Sequence, residues 1–235
     1  MEQAVGRTLM FSAWAALALA GCAQAENRPS IAEFIFDQLG PQSCDLMPAE
    51  MTGPRLREIT AANPEAPVAR GEFRGGLEGE FFGGSVFGAD AEGGLVVGVQ
   101  GAIVAAPDDA VSYLCLVTVT LGDGVANGSD VPVVPEADMD AANDGSLIAA
   151  YQIWDRDDAG NPRRLAISTA SSGTARLALN EAGQMTGSID VELANPSGGS
   201  NGLEPLNVTL TIPAAENIIS PVIRLRRDGA EEGSQ

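Results

Sequence analysis

The sequence predicts a mainly β protein, an antiparallel β-sandwich or flattened barrel with a short N-terminal helical segment. From Val68 onward, β-branched and apolar runs of five to eleven residues recur between clusters of Gly, Asp, Asn and Pro. Several runs alternate, Leu177 and Leu179 against Arg176 and Asn180, or Ile189, Val191 and Leu193 against Asp190 and Glu192, which is the period of a strand with one wet face. A length of 235 residues suits one domain with a core of its own.

Residues 1–21 read as a secretory signal peptide: Arg7 near the start, an apolar stretch from Leu9 to Leu19, then small residues. That stretch is too short to span a bilayer as a helix. It ends in Leu19-Ala20-Gly21-Cys22, which resembles the lipobox of bacterial lipoproteins. The resemblance implies lipid on Cys22, cleavage before it and, because Ala23 follows where Asp favours inner-membrane retention, sorting to the outer membrane. The competing reading cleaves after Ala23-Gln24-Ala25 and releases a soluble periplasmic or secreted chain beginning at Glu26. Under the lipobox reading residues 22–29 are a polar tether, reaching at most about 25–29 Å when extended.

Residues 30–67 are expected to form a helical cap. Ser30-Ile31-Ala32-Glu33 has capping-box spacing and leads into FIFDQL, with Gly40-Pro41 as the stop, so a helix is predicted over 31–39. Pro48 opens a second short helix through Glu58 and Ile59, after which ANPEAP breaks the pattern. A β domain follows over 68–227, with strands near 68–74, 77–88, 95–105, 111–121, 147–154, 163–170, 174–180, 185–193, 206–213 and 219–226. The run Tyr113 to Leu121 is apolar on both faces and reads as a central strand. The glycines of 71–101 sit inside strand-like alternation and match no phosphate loop, so they read as bends or close packing. Residues 228–235 are a polar tail.

Composition narrows the chemistry. There are 32 acidic residues against 13 basic ones, all arginine, with no lysine and no histidine, for a net charge of −19. Imidazole bases, Ser-His-Asp triads, His-ligated metals and Schiff-base lysines are thereby excluded. The acidity also opposes binding to nucleic acid and to anionic lipid. It belongs to the mature domain, since removing residues 1–21 takes away only Glu2 and Arg7.

Among the three cysteines, either leader reading leaves Cys44 and Cys115 as an even pair in an oxidising compartment, where a disulfide is expected. Such a bond would pin the helical cap to the central strand. Oxygen ligands are densest at Glu136 to Gly145 and Asp155 to Asn161, which makes Asp138, Asp140, Asp144, Asp155 and Asp157 candidate calcium ligands. The pattern is no EF-hand, because starting at Asp140 puts Ala142 third and Tyr151 twelfth. Solvated turns in an acidic chain explain the same residues. Glycoside hydrolysis needs only two carboxylates, but no pair stands out. Tyr151 and Trp154 point to opposite faces of one strand, which weakens an aromatic sugar platform. Cys44, Met47 and Met51 would suit Cu(I), although a disulfide beside two packing methionines explains them more simply. The Arg224 to Arg227 run has neighbouring carboxylates to pair with, and Asn127 and Asn207 begin glycosylation sequons.

The sequence therefore favours a lipid-anchored envelope protein serving as a non-catalytic binding or structural module for an unidentified envelope protein or glycan. No catalytic residue and no cofactor beyond calcium is nominated. A carboxylate-dependent hydrolase and a calcium-stabilised adhesion module are the alternatives.

Overall fold

The computed structural model describes residues 29–39, 52–62, 68–76, 78–89, 94–105, 110–122, 127–193, 204–217, 219 and 225. Helices α1 (Ile31–Leu39) and α2 (Gly53–Ala62) precede β1 (Ala69–Gly75), β2 (Gly79–Ala89), β3 (Leu95–Ala105), β4 (Val111–Thr120) and β5 (Asn127–Val133). A 3₁₀ turn (Glu136–Ala141) leads to β6 (Leu147–Arg156), β7 (Pro162–Thr169), β8 (Ser172–Leu179), β9 (Met185–Leu193) and β10 (Leu206–Asn217). From Ile31 onward these elements form one compact unit.

Pairing runs β4-β3-β2-β1-β10-β9-β8-β5-β6, and β6 pairs back onto β4, so nine strands close a ring with β7 attached to β6 outside it. The chain is thus mainly β, as the alternation predicts, but the expected sandwich or flattened barrel is corrected to a closed barrel. Alternation cannot separate these architectures, because each buries one face of every strand. The seam between β5 and β6 is a single parallel pair, Val133 with Leu147, reinforced by the Val134 N–H donating to the Leu147 carbonyl at 2.8 Å.

The interior is packed with apolar side chains from every strand of the ring. Tyr151, Phe73, Phe81 and Phe87 are its largest fully buried members. Glycine lets the wall curve around them. At Gly83 and Gly101, directly paired across β2 and β3, an added Cβ would meet the backbone oxygen of Gln100 and of Phe82 respectively at 2.2 Å, and the Phe81 ring covers both positions. Inward Thr120 completes the ladder by accepting from the Leu95 N–H at 2.9 Å. Among the described residues every buried side-chain nitrogen and oxygen has a partner.

A second apolar cluster lies on the outside of the barrel. Outward Val96, Cys115, Val117, Val119, Ile148 and Ala150 from β3, β4 and β6 meet Ala32, Ile35 and Phe36 of α1. The spacing of those helical residues gives α1 one apolar stripe. The helix begins at Ile31, as predicted, and its first N–H donates to Glu136 at 3.2 Å, a carboxylate placed where the helix dipole favours it. Helix α2 is described from Gly53, with Thr52 accepting from the Arg55 N–H; the predicted start at Pro48 lies outside the described residues.

Nine of the ten predicted strands appear near their predicted places, and β4 is buried on both faces as expected of a central strand. Strand β5 is an addition to the prediction. For the predicted strand 219–226, the described residues show only the Ile219 N–H donating to Phe87 and a parallel bridge between Leu225 and Leu121.

Candidate functional site

The barrel presents two unlike outer walls. The wall of β3, β4 and β6 is apolar, and α1, lying over β6 and β7, joins its cluster. The opposite wall, made of β2, β1, β10 and β9, sets outward polar residues on β1, β10 and β9 against an apolar interior, and it carries a depression of about 770 Å³ lined by residues of all four strands.

Strand register fixes the pattern on that wall. One row across the strands reads Glu80, Glu72, Thr209, Asp190. The next reads Phe82, Arg70, Thr211, Ser188, and on the other side Arg74 stands opposite Asn207. An acidic row is therefore flanked by arginines. Glu72 and Glu80 face each other directly, an arrangement that repels unless countercharged. Arg74 reaches Glu72 at 2.8 Å, and Arg57 of α2 reaches Glu80 at 3.1 Å. Arg70 and Asp190, both exposed, have no ion pair or hydrogen-bonded side-chain partner among the described residues.

This wall can recognise charge, but it is poorly equipped for acid catalysis. Directly opposed residues in adjacent strands bring their Cβ atoms to about 5 Å, compatible with the carboxyl spacing of retaining glycosidases. A general acid additionally needs an environment that keeps it protonated, usually an apolar wall. Glu72 and Glu80 are instead solvent-exposed and clipped to guanidinium groups.

The sequence-nominated residues lie elsewhere. Asp138 and Asp140 are exposed on the 3₁₀ turn, and Asp144 follows it, its carboxylate against Gly122. Asp155 takes a two-point contact from Arg163, with Nε donating at 2.9 Å. Asp157 organises the β6–β7 turn: its Oδ1 accepts from the N–H groups of Ala159 and Asn161 at 2.9 and 2.8 Å. Hydrogen bonds from the Asn161 backbone and side chain, then from the Ala159 backbone, hold the Asp157 carboxyl below the usual carboxylate range. Among the described residues, no three acidic or thiol groups converge on a common point.

Tyr151 points into the core and Trp154 outward, so the opposite-face expectation holds. Trp154 is partly buried; its indole N–H donates to Gln152 at 3.0 Å and the Arg164 guanidinium stands 5.8 Å from its ring. Cys115 is 4% exposed on the outward side of β4, beneath the helix-covered wall, and its sulfur is engaged rather than free. Cys22, Cys44, Met47 and Met51 lie outside the described residues, as does the 1–21 leader.

Sequence reading nominated none of Arg70, Glu72, Glu80 and Asp190. The first three were within reach of it: folding the predicted strands 68–74 and 77–88 about Gly76 places residue 72 opposite residue 80. Asp190 joins them only through β10, a long-range pairing that local sequence does not announce. Comparison with family models, curated proteins and solved structures returns no match.

Proposed function

We propose that this chain is a lipid-anchored envelope protein whose barrel is a non-catalytic module that binds through the outer wall of β2, β1, β10 and β9. The observation that carries the reading is the asymmetry of the barrel. Its interior is filled and one outer wall shares an apolar cluster with its own helix, whereas the opposite wall keeps a charged depression containing Arg70 and Asp190, which have no side-chain partner among the described residues.

An apolar interior, with outward side chains that are polar on β1, β10 and β9 and packed in a cluster with α1 on β3, β4 and β6, is the reverse of a membrane-spanning barrel, whose outer surface faces lipid. Attachment in this reading comes from acyl chains on Cys22, with the domain held close to the outer membrane by the tether. Two or more chains anchor stably where one is marginal. A Cys44–Cys115 disulfide would join the segment after α1 to the wall that α1 covers.

Intact mass of the membrane-extracted protein tests the anchor: an acylated N-terminal Cys22 is expected, and an unmodified chain beginning at Glu26 would refute it. The binding wall is tested by crosslinking pull-down from the native envelope. Thr209→Arg, which places a bulky cation in the middle of the wall, is expected to abolish the specific product, and unchanged capture would refute the assignment.

A further inference from the structure

We infer that the depression on the β2–β1–β10–β9 wall takes a short peptide with both termini free, its ammonium on the acidic row and its carboxylate on Arg70. The inference rests on the reading of this wall as the binding surface and gives its ligand a chemical class.

Charge complementarity is the first ground. Acidic residues outnumber arginines 32 to 13 in the chain, so an arginine has many potential partners within the molecule. Arg57, Arg74, Arg163 and Arg176 each hold one. Arg70 holds none among the described residues, yet it lines the depression. A guanidinium left open beside the hydroxyl-bearing positions Thr209 and Thr211 is suited to a carboxylate. On the other side Asp190 also has no partner among the described residues; it ends the row in which Glu72 and Glu80 are held by Arg74 and Arg57, and it is the carboxylate left to take an ammonium group.

The same arrangement disfavours other ligands. A ligand of negative charge alone leaves Asp190 unmatched, and one of positive charge alone leaves Arg70 unmatched. A molecule carrying one charge of each sign satisfies both ends.

Spacing supplies the second ground. Arg70 pairs with Thr211 on β10, whereas Asp190 of β9 pairs with Thr209. Their backbones are thus two strands apart across the sheet and two residues apart along it, roughly 11–12 Å on the diagonal from standard sheet spacings. The charges of a single α-amino acid lie too close together to bridge that distance comfortably. An extended chain adds at most about 3.3–3.6 Å per residue, so two or three residues, met by the reach of the arginine side chain, fit the span.

The test is calorimetric titration of the mature protein with trialanine, N-acetyl-trialanine and trialanine amide, repeated for Arg70→Ala and Asp190→Asn. Both substitutions are on the exposed surface, and circular dichroism confirms that the variants are folded. Free trialanine is expected to bind, and blocking either end to weaken it about tenfold, the loss of one charge-assisted contact. In Arg70→Ala, blocking the carboxylate should have no further effect; in Asp190→Asn, blocking the amine should lose most of its effect. Equal binding of all three peptides, undiminished blocking effects in the variants, or no binding at millimolar peptide would overturn the inference. If trialanine fails to bind while Thr209→Arg still abolishes capture from the envelope, the peptide inference falls and the assignment of the wall stands. If Thr209→Arg leaves capture unchanged, both fall.

Discussion

The wall of β3, β4 and β6 and the wall of β2, β1, β10 and β9 belong to one barrel and share one interior, yet they meet their surroundings differently. On the first, outward positions of β4 are Tyr113, Cys115, Val117 and Val119, and the last three are buried in one cluster with the apolar face of α1 and with Leu225. On the second, outward positions are Arg70, Glu72 and Arg74 on β1 and Asn207, Thr209 and Thr211 on β10, with the solvent as their surroundings. The difference teaches where this fold keeps stability and where it leaves room for function. Apolar side chains that a barrel does not need for its interior are a liability unless something covers them, and here the N-terminal helix does so.

The sharpest way to break the comparison is to put a charge on each wall. Val117→Asp buries an unpaired carboxylate beneath α1 and is expected to cost about 3–5 kcal/mol or to prevent folding, whereas Thr211→Asp, on the open wall, should stay within about 0.5 kcal/mol. Denaturant unfolding of both variants reads the contrast. Equal losses would mean that the two walls are not differently covered.

Alkaline titration comes next and tests the shared interior. Burial pushes the Tyr151 hydroxyl up to about 12, with a smaller opposing effect from its hydrogen bond with Ser168. Below pH 10 the residue is neutral in both states. Between pH 10 and about 12 the unfolded chain loses the proton that the folded chain retains, so stability falls by roughly 2–3 kcal/mol over that window. Burial also raises Tyr113. Since these are the only two tyrosines of the chain, absorbance at 295 nm should show little phenolate at pH 10 while the protein is folded. Ordinary titration of both near pH 10 would place them in solvent.

Glycine substitutions give a smaller effect of opposite sign at two neighbouring places. Gly101→Ala drives a Cβ against the Phe82 carbonyl and should destabilise by about 1–3 kcal/mol. Gly84→Ala, on exposed backbone of β2 with nothing within 4 Å, should be neutral or stabilise by up to about 1 kcal/mol. Smallest is Arg164→Ala, which removes the cation from the Trp154 ring and should cost about 0.5–1 kcal/mol, with a shift in tryptophan fluorescence.

Much of this was legible in the sequence where the physical signal is local. The run over 95–105 and the doubly apolar 111–121 gave β3 and β4 almost to the residue, and capping spacing gave the start of α1. Strand β5 was not legible. In Asn127–Val133 only Val133 is buried, Pro132 brings no N–H to the ladder, and a register shift interrupts its pairing with β8, so nothing in the segment shows the period of a strand. Ring closure was equally hidden, because it depends on β6 pairing with β4 while Val133 meets Leu147. The site followed the same division. Asp155 and Asp157 stand out as an acidic cluster in sequence, but their oxygens are taken up by Arg163 and by the turn's own N–H groups. Arg70 and Asp190, separated by 120 positions, come to one wall only through β10.

The most direct measurement compares the open wall with a position on the α1 side as binding surfaces in intact cells that make the protein. A photo-crosslinking residue replaces Thr209, in the middle of the open wall, or Ala141, exposed on the 3₁₀ turn near the start of α1. A discrete crosslinked product from position 209, absent from position 141 and displaced by trialanine, is the predicted result. No product from position 209, or the same product from both positions, would contradict the assignment of function to the β2–β1–β10–β9 wall.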